Sequence, residues 1–116
     1  MLLQEPNLHV WLYNQPTDMR KQLDGLAALA QTQMHCQASS GDLFVFINRK
    51  RTYMKILYYS KGGYCLWCKR LEKGRFHSVR EDDNDKDKQP LDWAQLQCLI
   101  DGINWQKYAK HSRYMR

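Results

Sequence analysis

Short apolar runs alternate with polar breaks along the chain, and each run carries either a strand or a helix period. His9 to Tyr13 is of strand type and is closed by Asn14-Gln15-Pro16-Thr17. Met19, Leu23, Leu26, Ala27, Ala30 and Met34 then recur at helical spacing, which predicts a helix from about Asp18 to about Gln33. Thr17 suits its N-cap, and Asp18 lies where a negative charge favours the helix dipole. Gly25, in mid-helix, costs about 1 kcal/mol against Ala unless something packs closely on it. Ser39-Ser40-Gly41 ends this unit.

Leu43 to Ile47 is continuously apolar, as for a strand covered on both faces. Asn48-Arg49-Lys50-Arg51 interrupts it and Thr52 to Tyr59 follows, so the two runs read as a hairpin with a basic tip. Ser60 to Gly63 is a second turn, Tyr64 to Leu71 a third strand, and Lys73-Gly74 a turn before Arg75 to Val79. Residues 81 to 90 hold a polar, acidic stretch that buries nothing from Glu81 to Gln89 and is expected to be a mobile loop. A last helix is signalled by Asp92 as N-cap, Gln95 three residues on, Leu91 with Leu96 as a hydrophobic staple, and Gly102 as a stop.

These elements predict an α+β fold in one domain, residues 1 to 116. An antiparallel meander of four to five strands carries one helix packed on it after the first strand, and a C-terminal helix closes an edge. With 116 residues, 43% of them hydrophobic, one core is expected. No run reaches the roughly 18 to 20 apolar residues of a membrane span, and Met1 to Pro6 lacks the charged start and apolar core of a signal peptide. Four unevenly spaced cysteines, Cys36, Cys65, Cys68 and Cys98, point to free thiols in a reducing cytoplasm rather than to a disulfide framework.

The net charge of +6 is unevenly placed. Residues 49 to 75 hold nine Lys and Arg against Glu72 alone, whereas residues 81 to 92 hold six acids and two lysines. A concentrated positive segment attracts polyanions. Its bland alternative is a soluble surface with protected strand edges.

Chemistry beyond binding finds little support. Cys65-Leu66-Trp67-Cys68 is half of a zinc site, and a strand would aim its two thiols at opposite faces. The histidines at 9, 35, 77 and 111 are scattered, and Gly62-Gly63 is explained by a turn. Neither a catalytic constellation, a metal set nor a cofactor is expected.

Cations interleaved with aromatics are the positive signal. Alternation puts Arg51, Tyr53, Lys55, Leu57 and Tyr59 on one strand face, with Thr52, Met54, Ile56 and Tyr58 on the core face. Trp67 and Lys69 extend the first face on the neighbouring strand. The candidate nucleic-acid-binding set is Arg49, Lys50, Arg51, Tyr53, Lys55, Lys69, Arg70, Lys73 and Arg75, offering charge to phosphates and rings to bases. Lys107, Lys110, Arg113 and Arg116, beside Trp105, Tyr108 and Tyr114, repeat the pattern in a basic tail over 104 to 116.

The segments Thr17 to Lys21, Asp24 to Leu29, Leu43 to Phe46, Asn48 to Thr52, Lys55, Cys65-Leu66 and Lys69 to Phe76, in this order, closely resemble the Orf2-like accessory proteins, called TnpB, of bacterial insertion sequences of the 66 family. The resemblance covers about Val10 to Phe76, with a looser echo at Leu91 to Ile103. Departures are Gln22-Leu23 in place of Gly-Phe, Cys68 in place of a small residue, and Phe76 to Val79 without a Trp-Pro ending. The resemblance implies a non-catalytic bacterial protein that works beside a separate, element-encoded transposase. Its partners would be DNA, at the element's ends or the target, or the transposase itself through an adaptor role without direct DNA contact.

Overall fold

The computed structural model describes residues 8–78, 87–104 and 107. In chain order its elements are β1 (Val10–Tyr13), α1 (Leu23–Thr32), β2 (Leu43–Ile47), β3 (Tyr53–Ser60), β4 (Gly63–Arg70), β5 (Lys88–Leu91) and α2 (Trp93–Asp101). The strands form one sheet in the order β4-β3-β2-β1-β5. β2, β3 and β4 make the expected antiparallel meander, its second turn carrying Lys61 and Gly62 at φ 49° and 84°, which matches the strand twist.

β1 departs from the expected pattern. It runs parallel to β2, with Val10 opposite Leu43 and Leu12 opposite Val45, so the sheet is mixed and not wholly antiparallel. The chain crosses from β1 through α1 before entering β2, and such a crossover is what allows parallel neighbours. All five residues of β2 are buried, as expected of a strand with both faces covered.

The fifth strand is also not the expected one. Residues 75–78 form no strand; Phe76, 1% exposed, instead fills part of the core, and Val79 lies outside the described residues. β5 takes the edge beside β1, antiparallel, with Val10 opposite Leu91 and Tyr13 opposite Lys88. Lys88, Gln89 and Pro90, expected in the acidic loop, therefore belong to the sheet. Backbone pairing requires no apolar side chain, and an edge strand tolerates a proline that lacks its N–H. Of the rest of the expected loop, Asp87 accepts the Asn14 N–H through its carbonyl at 3.0 Å, while 81–86 and the tail apart from Asn104 and Lys107 lie outside the described residues.

Strand alternation divides the core into two clusters. Val10, Leu12, Leu43, Val45, Ile47, Met54, Ile56, Phe76 and Leu91 pack with Leu96 and Leu99 of α2. Phe44, Phe46 and Leu57 pack with Leu26, Ala27 and Ala30 of α1, together with Met34 and Ala38. α2 thus supplies side chains to a sheet face, while the edge strand β5 is its chief neighbour among the strands.

The two helices begin differently. α2 has the signalled capping box: the Gln95 N–H donates to Asp92 Oδ1 at 2.7 Å and the Asp92 N–H to Gln95 Oε1 at 3.0 Å, while Gly102 ends the helix at φ 73°. α1 starts at Leu23 instead of Asp18. The Asp18 carboxylate accepts the Arg20 N–H at 2.9 Å and the Lys21 N–H reaches the Asp18 carbonyl at 3.1 Å, so a local turn replaces the first helical turn. Thr17, 5% exposed, ties its N–H to the Ile47 carbonyl at 2.9 Å rather than capping the helix.

Candidate nucleic-acid interface

The tip between β2 and β3 is built by Asn48. Its N–H donates to the Tyr53 carbonyl at 3.1 Å, and its Oδ1 accepts the Thr52 and Tyr53 N–H groups at 2.9 and 3.1 Å. Arg49 and Lys50 are left exposed at the apex, and Arg51 closes the turn at φ 59°, a left-handed conformation that usually calls for glycine.

The segment after β4 is stitched to this tip. The Leu71 N–H donates to the Thr52 carbonyl at 2.8 Å and the Phe76 N–H to the Arg51 carbonyl at 2.7 Å, while Arg51 Nε donates to the Phe76 carbonyl at 2.6 Å. Arg49, Lys50, Arg70, Lys73 and Arg75 thereby emerge at one end of the sheet, all exposed, with Glu72 among them. None of these five cations forms an ion pair with a described residue; Arg20 with Asp18, at 2.7 Å, is the described ion pair. Hydrogen bonds from the Arg20 side chain and backbone pull the Asp18 carboxyl down to about 2.

Two residues of the candidate set are committed elsewhere. Lys55 is 2% exposed, and its Nζ donates to the Met19 and Lys21 carbonyls, both at 2.8 Å, and to Gln22 Oε1 at 3.4 Å. It fastens the turn that leads into α1 and is out of reach of a phosphate. Its strand face is the one that α1 covers, so the expected open face of Arg51, Tyr53, Lys55, Leu57 and Tyr59 is corrected to a largely packed one.

Lys69 is the second. Trp67 pairs with Ile56, which puts Trp67 and Lys69 on the α2 side and not, as expected, beside Tyr53 and Lys55. There Lys69 Nζ donates to the Ile100 carbonyl at 2.7 Å, in the last turn of α2, where a cation meets the negative end of the helix dipole. The neighbour of Tyr53 is Arg70, whose guanidinium lies 5.0 Å from the ring centroid.

Arg51 is half-buried, and loss of water pushes its guanidinium pKa down. Cys65 pairs with Tyr58 and Cys68 with Lys55, so the two thiols stand on opposite faces. Among the described residues no three of His, Cys, Asp and Glu come together as a metal set, and no helix is long and apolar enough to cross a membrane. Sequence reasoning missed Asn14, Gln15 and Ser78, which line a cleft with Arg49 and Arg51; the only signal near the first two was the turn at Pro16.

The family model described as IS66 Orf2 like protein matches residues 8–110. The chain belongs to this family. IS66 Orf2-like proteins are transposition-associated accessory proteins and not a known catalytic family. Two proteins of Sinorhizobium fredii (strain NBRC 101917 / NGR234) are similar to the chain. The uncharacterized protein y4hO is 34% identical over 105 residues, covering 90% of this chain and 89% of its own length. The uncharacterized protein y4jC is 27% identical over 103 residues, covering 89% and 86%. No solved structure matches the chain. The match spans both the hairpin tip and α2, so the basic end lies within the part shared with the IS66 Orf2-like family.

Proposed function

We propose that this accessory protein binds DNA, at the ends of its insertion sequence or at the target, through the basic end of the sheet. One observation carries the reading: Arg49, Lys50, Arg70, Lys73 and Arg75 are exposed at one end, unpaired with any described carboxylate, on the β2–β3 tip and on the end of β4 with the segment after it, which backbone hydrogen bonds hold together. Exposed cations without a carboxylate partner suit phosphates, which position a protein on a duplex without reading its sequence. Half-buried Arg51 and Tyr53 support the surface from below. Lys55 and Lys69 are excluded from it by their internal bonds.

Titrating a duplex of the element's end at several salt concentrations tests the reading. Five phosphate contacts give a slope of log affinity against log salt of roughly −4.5, and each of Lys50→Ala, Lys73→Ala and Arg75→Ala makes it shallower by about 0.9. A flat salt response, or no binding at low salt, overturns it.

The second reading, an adaptor that holds the separate transposase, is favoured by β4. This strand of 8 residues sits at the sheet edge, where a partner strand can add by backbone pairing. Co-purification with the transposase that survives nuclease treatment supports the adaptor; loss of the complex on that treatment supports bridging by DNA.

A further inference from the structure

Beside the hairpin tip is a cleft of about 110 Å³, lined by the ends of β1 and β2 and by the segments that follow them. Its apolar walls come from Leu12, Tyr13, Pro16 and Ile47, and its polar walls from Asn14, Gln15, Asn48, Arg49, Arg51 and Ser78. Among the described residues that line it there is no carboxylate; Asp87, next to it, accepts the Asn14 N–H through its backbone carbonyl at 3.0 Å. Arg51 spends its Nε on the Phe76 carbonyl, but its Nη2 is buried and has no hydrogen-bond partner. Arg49 is exposed, and its guanidinium forms no ion pair with a described residue.

A guanidinium donor withdrawn from water and left without an acceptor is costly, and an anion relieves that cost more fully than a neutral group. The guanidinium fork matches tetrahedral oxyanions, and apolar walls strengthen the attraction by lowering the local dielectric. Volume narrows the choice. Pockets that enclose a drug-sized ligand begin at roughly 300 Å³. This cleft is much smaller, with space for one oxyanion and a few waters but not for a nucleoside.

We propose that this cleft seats a single phosphoryl group of a bound nucleic-acid strand, with half-buried Arg51 as one donor and exposed Arg49 as the other. The inference rests on the DNA-binding reading above for the source of the phosphate, and on the cleft alone for the chemistry. It adds a defined register point to a surface whose other cations make loose contacts.

The test uses the full-length chain, isotope-labelled for NMR, with two probes: inorganic phosphate at constant ionic strength, with chloride as control, and a short duplex. Phosphate, and not chloride, is expected to shift the Arg51 Nε–Hε and Ser78 amide signals saturably and to compete with the duplex. Arg49→Gln, which removes no ion pair with a described residue, is expected to weaken both ligands roughly ten- to hundredfold. Arg51→Lys, checked for folding by its amide spectrum, should do the same.

If the duplex binds with its full salt slope while phosphate leaves Arg51 unmoved and Arg49→Gln changes affinity less than twofold, the cleft proposal is overturned and the DNA reading survives. Saturable phosphate binding without duplex binding overturns the nucleic-acid source.

Discussion

Arg51 and Phe76 exchange two hydrogen bonds across 25 residues of chain: the Phe76 N–H donates to the Arg51 carbonyl at 2.7 Å, and Arg51 Nε donates to the Phe76 carbonyl at 2.6 Å. This pairing holds the β2–β3 tip against the segment after β4 and buries the Phe76 ring among Met54, Ile56 and their neighbours. It also supports a non-glycine residue at φ 59°.

Arg51→Ala loses a charge-assisted bond while keeping the strained backbone, and is expected to destabilise the protein by about 2 kcal/mol. Arg51→Gly loses the same bond but relaxes the left-handed turn, so it should be milder than the alanine variant by about 1 kcal/mol. Urea unfolding of both variants measures the difference. Equal stabilities would remove the backbone-strain argument.

Lys55→Met replaces a buried ammonium with a chain of similar length and strands the Met19 and Lys21 carbonyls. The two acceptors are only part-buried, so the cost should lie near the lower end of about 1 to 3 kcal/mol for each, roughly 2 to 3 kcal/mol in all. Under conditions where the variant stays folded, the salt slope of DNA binding should not change. A slope shallower by one contact would show that Lys55 reaches phosphate after all.

Lys69→Met should likewise leave the salt slope intact, because its ammonium is spent on the Ile100 carbonyl. Its expected effect is faster hydrogen exchange in the last turn of α2, with a loss of about 0.3 to 1 kcal/mol from the helix-end contact. Exchange mapped by mass spectrometry checks where the loosening falls.

The thiols should differ in reactivity. Burial pushes the Cys98 pKa up, with Asp101 and Asp92 adding to the rise, so less of it is thiolate at a given pH. Cys68 is exposed. Alkylation at mildly alkaline pH should modify Cys68 first and Cys98 last, with the Cys98 rate still climbing as pH passes 9. A Cys98 that reacts as fast as Cys68 would contradict its burial.

α2 begins with a reciprocal contact between Asp92 and Gln95. Asp92→Ala should cost about 1 kcal/mol, and Asp92→Asn, which keeps an acceptor, distinctly less. Thermal unfolding of the pair resolves the two effects.

Features governed by near neighbours were readable from the residues alone. The capping box of α2, the β2–β3–β4 meander and the basic tip each depend on side chains a few positions apart, whose preferences act locally. Exposure of Arg49, Lys50, Lys73 and Arg75 followed from their place in turns, where nothing packs. The left-handed Arg51 was not readable, because its support comes from Phe76, far along the chain.

Other features were settled only when the elements packed. The parallel β1–β2 pair had one sequence sign, the fully apolar β2, but its direction came from the α1 crossover. β5 gave no sign, since its pairing uses backbone groups common to every residue. Lys55 and Lys69 alternate along their strands as surface cations would, and became internal because α1 and the end of α2 brought carbonyls to them. A side chain's period tells which face it takes; what covers that face is decided by long-range packing, and with it whether a lysine meets solvent or the backbone.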